Sequence, residues 1–358
     1  NRHLILDQIG REGQEKLKAA HVLVIGAGGL GCPVLQYLAG AGVGTIGVID
    51  FDTVDVSNLQ RQVLFSVDDL GKNKAECAAE RLSKLNPHIN FEVYQDRLTN
   101  NNALGLFEKY DLIIDGSDNF STRYLVNDAS VLTDKPLVYG SIYKFQGQVS
   151  VFNYKGGPTY RCLFPTPPEA GTIKNCSEIG VIGVLPGIIG TQQANEAIKI
   201  ILGIGEPVAG RLMIYDALKA SYMFVGVSRS DEEILKVKEM RANFESFDYD
   251  IFCGVKDQEV LEEDQIDHDQ LLKFIGDEQI QIVDLREKWE EPELVGANVQ
   301  RIVMNDLNQS IELFSKEKKV VLVCQKGGRS NQVKTLLETM HGYDNIVELK
   351  GGLENYDN

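Results

Sequence analysis

Between residue 22 and about residue 140, short apolar runs alternate with stretches of helical periodicity. The runs are Val22–Ile25, Ile46–Ile49, Phe91–Tyr94, Leu112–Ile114 and Leu137–Tyr139. Alternation of this kind predicts a doubly wound, mostly parallel α/β sheet covered by helices, Rossmann-like in form. Val149–Phe152 and Leu212–Tyr215 read as further strands. Between them, Ile188–Ile201 carries a long helical pattern that stops at Gly203. From Ser228 to Ile266 acidic and basic residues dominate without strong periodicity, and the stretch reads as a linker with short elements. Three more strands follow, Ile280–Asp284, Val320–Val323 and Ile346–Leu349, with helices between them. The expected organisation is a first domain over 1–226, a linker over 227–254 and a smaller α/β domain over 255–358. No internal repeat or low-complexity tract interrupts it.

The first strand leads into Gly26, Gly28, Gly29 and Gly31, and the second ends at Asp50. Strand, Gly-rich turn, helix and strand in that order make a dinucleotide-binding unit. The glycines let backbone N–H groups approach a phosphate at the partly positive start of a helix. Asp50 can accept hydrogen bonds from a ribose. Such a pattern alone suits an NAD-dependent oxidoreductase. The polar segment from Asp52 to Gln62 argues otherwise, because Asn58, Arg61 and Gln62 answer the needs of a triphosphate rather than of nicotinamide.

Composition narrows the class. A chain of 358 residues suits two domains, and 43% apolar with 25% charged residues is ordinary for a globular protein. No run of about 18 apolar residues is present, so no membrane span is expected. The opening residues lack the basic start and apolar core of a signal peptide. A net charge of −16 argues against nucleic acid as a partner and serves either solubility or steering. Six scattered cysteines, at 32, 77, 162, 176, 253 and 324, read as free thiols of a cytoplasmic protein.

Five motifs keep a fixed order after the Gly-rich turn: SNLQRQ at 57–62, GKNKAE at 71–76, NPHI at 86–89, GSDN at 116–119 and YRCLFP at 160–165. Together they resemble the MoeB/ThiF adenylyltransferases, the bacterial branch of the ubiquitin-activating-enzyme superfamily, from Asn1 to about Gly226. From about Val255 the chain resembles a single rhodanese domain, through VDLRE at 283–287, CQKGGRS at 324–330 and LKGGLENY at 349–356. The fusion resembles adenylyltransferase/sulfurtransferases that supply sulfur for molybdopterin, thiamine or tRNA thiolation.

The resemblance implies a substrate: a small ubiquitin-like β-grasp sulfur carrier ending in Gly-Gly, whose carboxylate attacks the α-phosphate of ATP. Like charges meet there, so cations must neutralise the nucleophile and the leaving pyrophosphate. Arg61 and Lys74 suit that duty, and Arg2 resembles an arginine donated across a homodimer interface. Asp118 matches the family's magnesium ligand, a hard oxygen donor. Gly28 and Gly29 would approach the nucleotide and Asp50 the ribose, while Ser57, Asn58, Leu59, Gln60, Arg61 and Asn119 complete the pocket. The plainer alternatives are surface charge for the cations and helix capping for Asp118.

Cys32 and Cys77 fall in helical patterns and read as core. Cys176 matches a thiol that, in fused relatives, receives the activated carboxylate or resolves a persulfide; its plain alternative is an exposed loop cysteine. Cys324 ends an apolar strand and opens CQKGGRS, a loop whose backbone N–H groups would stabilise anionic sulfur, with Lys326 and Arg329 nearby. Only four residues separate Cys324 from Arg329, against five in tyrosine-phosphatase-like loops, which favours a persulfide over a phosphate. Within KWEEPELVGANVQ the His-Ile-Pro-Gly-Ala sequence usual in rhodaneses is largely lost, which suits a docking domain instead. Relatives hold zinc with two Cys-x-x-Cys pairs. Here these positions read Thr159 and Cys162, then Asp250 and Cys253, so zinc is expected to be absent.

The expected activity is MgATP-dependent adenylylation of the carrier's C-terminal glycine, followed by sulfur delivery from Cys324 to give a thiocarboxylate. A sulfur donor such as a cysteine desulfurase would reload Cys324. The rival readings are an NAD-linked oxidoreductase with a sulfur-handling domain and a non-catalytic scaffold that docks the carrier.

Overall fold

The computed structural model describes residues 2–168, 180–255, 265–325 and 327–353. The described residues fall into two compact units that divide between Glu245 and Ser246, with Pro167 and Pro168 belonging to the second.

The first unit begins with helix α1 (Gly10–Ala19) and strand β1 (His21–Ile25), followed by α2 (Gly31–Ala41) and β2 (Thr45–Ile49). Next come α3 (Lys74–Leu85), β3 (Asn90–Tyr94), α4 (Asn100–Phe107), β4 (Leu112–Asp115) and α5 (Phe120–Leu132). Strands β5 (Leu137–Tyr143) and β6 (Gln146–Phe152), short helix α6 (Tyr160–Leu163) and long helix α7 (Val184–Leu202) lead to β7 (Arg211–Asp216), β8 (Ser221–Gly226) and α8 (Asp231–Glu239). The strands form one sheet in the order β3-β2-β1-β4-β5-β6-β7-β8. The pairs from β3 to β5 are parallel and those from β5 to β8 antiparallel. The fold is therefore a doubly wound, parallel-dominated α/β sheet with an antiparallel extension.

Strand β1 is buried along Val22–Ile25, as a parallel strand covered on both faces must be. Val22, Val24, Ile46, Val48, Leu112, Ile114 and Val138 join α2 residues Val34, Leu35 and Leu38 in one core. Helix α7 starts four residues before the apolar pattern suggests, with Pro186 in its first turn, and ends at left-handed Gly203. Its Gln193 donates to the carbonyls of Asp115 at 2.6 Å and Val138 at 3.4 Å, pinning the helix to the sheet behind the β4 terminus. Residues 227–254, expected to be a linker with short elements, contain a helix. Helix α8 is capped by Ser230 and packs on α5 and α6, so an amphipathic face (Ile234, Val237) is hidden in a mainly charged segment.

Short helix α9 (Tyr249–Phe252) opens the second unit, followed by β9 (Gln265–Ile266), α10 (His268–Phe274), β10 (Ile280–Asp284) and β11 (Val299–Arg301). Strand β12 (Lys319–Val323), helix α11 (Gly328–His341) and β13 (Ile346–Leu349) complete it. Its five strands lie in the order β11-β10-β12-β13-β9, and every pair is parallel. Ile282, Val321, Val323, Val347 and Leu349 form its core with Leu271 of α10.

Candidate functional site

In the first sheet the strand order reverses between β1 and β4, and the loops leaving their C-terminal ends open a crevice. The backbone there is tightly joined: Gly26 N–H donates to Ile49 O and Gly116 N–H to Ile25 O, each at 2.8 Å. Gly26 has a φ of +88°, and a Cβ on Gly31 would stand 1.9 Å from Gly26 O. No other residue types let the turn fold back so closely onto α2. Helix α2 has no side-chain cap; Cys32 N–H donates to Gly28 O at 2.9 Å, so an anion would be met by the positive helix end and the turn ahead of it.

The crevice has a volume of about 530 Å³ and gathers residues from across the first unit. Gly28, Gly29, Asp50, Ser57, Asn58, Gln60, Arg61, Lys74, Asp118 and Asn119 all line it. Leu59 does not; it is partly buried against the core. Arg2 is exposed at the start of a short helical turn, His3–Ile5, and is not among the lining residues of its own chain. Cys176 lies outside the described residues.

Asp50 follows β2 directly, with each carboxylate oxygen engaged. Oδ2 accepts from Ala27 N–H at 2.7 Å and Oδ1 from Asp52 N–H at 2.9 Å. Burial pushes its carboxyl above the ordinary range, and the N–H bonds oppose that shift. Asn73 caps α3 with its side-chain oxygen and donates its amide to the carbonyls of Asp50 at 2.9 Å and Asp52 at 3.3 Å. This staple sets Lys74, the first residue of α3, in the crevice wall. Its Nζ is 2.9 Å from Asp52 Oδ2. Arg61 lies in a turn whose start is capped by Asp55, and its Nη1 donates to Ser57 O at 3.1 Å.

Asn119, not Asp118, caps α5, accepting from Thr122 N–H at 2.9 Å. The plain capping alternative for Asp118 is thereby corrected. Nearby Asp115 is fully buried, and burial drives its carboxyl upward against the pull of Arg123.

Two lining residues, Asp96 and Arg97, have no separate signal in the sequence. They follow β3 and reach the crevice only because β3 lies beside β2; Arg97 stacks over Phe51 at 5.6 Å. Gln62 is buried at the wall, and its Oε1 has no hydrogen-bond partner among the described residues. It is the residue that closes the polar segment singled out in the sequence. Such an orphan acceptor fits a wall built to meet a ligand.

A second cluster surrounds Cys324 in the second unit. Its Sγ accepts from the backbone N–H of Gly327 at 3.1 Å and of Ser330 at 3.4 Å. Left-handed Gly327, φ +90°, turns those amides inward at the start of α11. The loop is thus an anion cradle around sulfur. Arg329 does not offer its charge freely: its guanidinium pairs with Glu290 through both nitrogens, one at 2.7 Å, and this pairing holds the Glu290 carboxyl below the ordinary range. Glu290 belongs to the very stretch that departs from the rhodanese pattern. Lys326 lies outside the described residues.

At the positions where relatives hold zinc, the first pair has a local role. Cys162 Sγ accepts from the N–H of Thr159 and of Ser230, each at 3.3 Å, tying α6 to the cap of α8. Asp250 and Cys253 belong to the second unit. Among the described residues no three His, Cys, Asp or Glu side chains are grouped to hold a metal. This donor set does not fit a structural zinc. Cys32 and Cys77 are core residues, and burial pushes the Cys32 thiol up to about 12.

Comparison with known proteins finds two families along the chain. Residues 1–235 match the ThiF family and residues 267–358 the rhodanese-like domain. The chain is 53% identical over 261 residues to "Sulfur carrier protein adenylyltransferase" of Thermus thermophilus, covering 72% of this chain and 96% of that protein. It is 41% identical over 363 residues to "Probable adenylyltransferase/sulfurtransferase MoeZ" of Mycobacterium tuberculosis, covering 99% and 91%. Among solved structures, E. coli MccB with MccA-N7isoASN superposes with a TM-score of 0.55 at 25% identity, covering 61% of this chain and 66% of that one. The chain belongs to the ThiF family, and it carries a rhodanese-like domain after its ThiF domain.

Proposed function

We propose that the chain adenylylates the C-terminal glycine of a small ubiquitin-like sulfur carrier with MgATP and then converts the adenylate to a thiocarboxylate with sulfur carried on Cys324. The observation that carries the reading is the crevice at the β1/β4 reversal, where Gly28, Asp50, Arg61, Lys74 and Asp118 meet although they are spread over ninety residues of chain. ATP would lay its phosphates along the Gly-rich turn and the start of α2, with the ribose toward Asp50. Arg61 and Lys74 would hold the reacting phosphates, and Gln60 and Asn119 would close the wall.

Charge supports both magnesium and a dimer. Among the described lining residues, Arg61, Lys74 and Arg97 face four carboxylates, Asp50, Asp52, Asp96 and Asp118. A triphosphate needs more positive charge than that. Magnesium held by Asp118 would supply part of it, since this ion binds through one or two carboxylates plus substrate phosphates. Arg2 from a second subunit would supply the rest. Cys176 would receive the activated carboxylate or resolve the persulfide, and a cysteine desulfurase would reload Cys324.

The test is pyrophosphate exchange with purified carriers ending in Gly-Gly, followed by intact-mass measurement for adenylate and thiocarboxylate. Exchange that needs the carrier is expected. Hydride transfer with NAD, or exchange indifferent to the carrier, would overturn the reading. No structural zinc is expected either: metal analysis should find none, and a chelator should leave the melting temperature of the magnesium-free protein unchanged.

A further inference from the structure

The sulfur of Cys324 touches a hydroxyl, and that hydroxyl touches a buried carboxylate. Cys324 Sγ lies 3.4 Å from Ser330 Oγ, which lies 3.0 Å from Glu348 Oε2. The three residues are 1%, 0% and 3% exposed. Glu348 stands on β13, and its other oxygen accepts from Gln265 Nε2 of neighbouring β9 at 3.0 Å. A carboxylate buried beside the sulfur is expensive to desolvate, and nothing in the persulfide chemistry described so far uses it.

The serine hydroxyl has one proton and three neighbours. Besides Sγ and Glu348 it meets Gly327 O at 2.8 Å. When Glu348 is ionised, both oxygen neighbours accept only, so the hydroxyl proton goes to one of them. Its lone pairs then face Cys324, and the thiol itself must bring the hydrogen to that contact. With that proton on Glu348 the contacts align in one direction, from thiol to hydroxyl to carboxylate; turned to Gly327 O, the hydroxyl needs one rotation to reach it.

We propose that Ser330 and Glu348 form a proton relay that activates Cys324 for sulfur uptake. The S–H proton passes to Ser330 Oγ as the hydroxyl's own proton passes to Glu348 Oε2. A thiolate, a neutral serine and a protonated carboxyl result, with no proton gained or lost. The thiolate keeps the N–H groups of Gly327 and Ser330 and gains the reversed hydroxyl. It then attacks the outer sulfur of a donor: the new S–S bond forms on Cys324, the donor's own bond breaks, and the donor leaves with that electron pair. Ser330 touches the reacting sulfur. Glu348 acts through it and is a positioning residue.

Among the described residues, the other charged groups on the elements packed around this relay are placed as follows. From α11, Lys334 pairs with Glu338 at 3.1 Å and Arg329 with Glu290, and His341 sits in the last turn. On β12, Lys319 lies over Phe274. Beyond β9, Asp267 caps α10 and His268 meets Gly352 O at 2.9 Å. On β10, Asp284 holds Arg286 and Arg301.

The inference rests on Cys324 being the sulfur-accepting nucleophile, so the test separates the two. Sulfur transfer from thiosulfate to cyanide would be followed as thiocyanate from about pH 5 to about pH 10, a span that brackets ordinary thiol ionisation. The full chain would be compared with Cys324→Ala, Glu348→Gln and Ser330→Ala. Cys324→Ala is expected to be inactive. Glu348→Gln, which keeps the shape, is expected to lose about tenfold or more below neutral pH and to approach the parent rate at alkaline pH, where hydroxide can take the proton in place of the relay. Ser330→Ala should show the same displacement of the acid limb, and it carries the test if Glu348→Gln does not fold. Activity surviving in Cys324→Ala overturns the nucleophile and the relay with it. An inactive Cys324→Ala beside a Glu348→Gln profile that superimposes on the parent's, or that drops equally at every pH, overturns the relay alone.

Discussion

Replacing Lys74 with methionine separates a cation that acts on substrate from one that merely holds the fold. Lys74 is 6% exposed, with its stem packed at the start of α3 and its ammonium 2.9 Å from Asp52 in the crevice wall. Methionine keeps the apolar stem and removes only the charge. The fold should lose little, because the Asp52 side chain is 50% exposed and an ion pair with so wet a partner contributes at most about 1 kcal/mol. The chemistry should lose far more. A unit charge about 4 Å from a developing phosphate charge interacts by about 4 kcal/mol at an effective dielectric constant of about 20. Part of that is already spent on Asp52 before substrate arrives. What remains is of the order seen for a preorganised donor, about 2.7–4 kcal/mol or roughly 10²–10³ in rate. Carrier-dependent pyrophosphate exchange measures it, with denaturation curves as the control. A folded Lys74→Met protein that loses less than about fivefold, near 1 kcal/mol, would refute the placement of this ammonium on the reacting phosphates.

Other perturbations test other parts of the molecule. Gly28→Ala places a methyl that meets only Gln62 Nε2 at 3.6 Å, so the protein should fold normally while the methyl blocks close approach of a phosphate. ATP should then cease to raise its melting temperature, and an undiminished rise would count against the Gly-rich turn as the phosphate site. Arg161→Met removes the cation from the Asp128 carboxylate, which the guanidinium holds by two 2.7 Å bonds with both side chains fully buried. Urea unfolding should show a loss of about 3–5 kcal/mol, most of it recovered in Arg161→Met/Asp128→Leu. Glu290, lowered by Arg329, stabilises the second unit above its unfolded pKa of about 4.3 and loses that contribution as pH falls through its lower folded value. The stability gap between the parent and Glu290→Gln should therefore close on acidification, and a gap that stays constant with pH would contradict the pairing.

Much of the fold is legible in the chain because its signals are local. Val22–Ile25 and Ile46–Ile49 are buried on both faces, so their apolar runs are unbroken, and Gly26 and Gly31 sit where the backbone admits no side chain. Cys324 follows a buried strand and precedes a helix within a few residues, which is enough to place its sulfur among backbone amides. Helix α8 was hidden because its buried face is only Ile234 and Val237 among acidic and basic neighbours. SDN looked like a cap at Asp118, and only the turn geometry assigns that bond to Asn119.

The order of residues along the chain by itself determined the two α/β units, the Gly-rich turn and the sulfur loop, since periodicity, glycine conformation and motif spacing act over a few residues at a time. Only tertiary structure decided which distant groups meet. The order β3-β2-β1-β4 carries Arg97 to Asp50 and Asp118, and the pairing of β13 with β9 and β12 sets Glu348 beside Ser330. The same packing gave Arg329 to Glu290 and the Cys162 sulfur to Ser230. Hydrogen bonds and ion pairs act over a few ångströms of space, and only strand order and helix packing bring within that range groups that lie far apart in the chain.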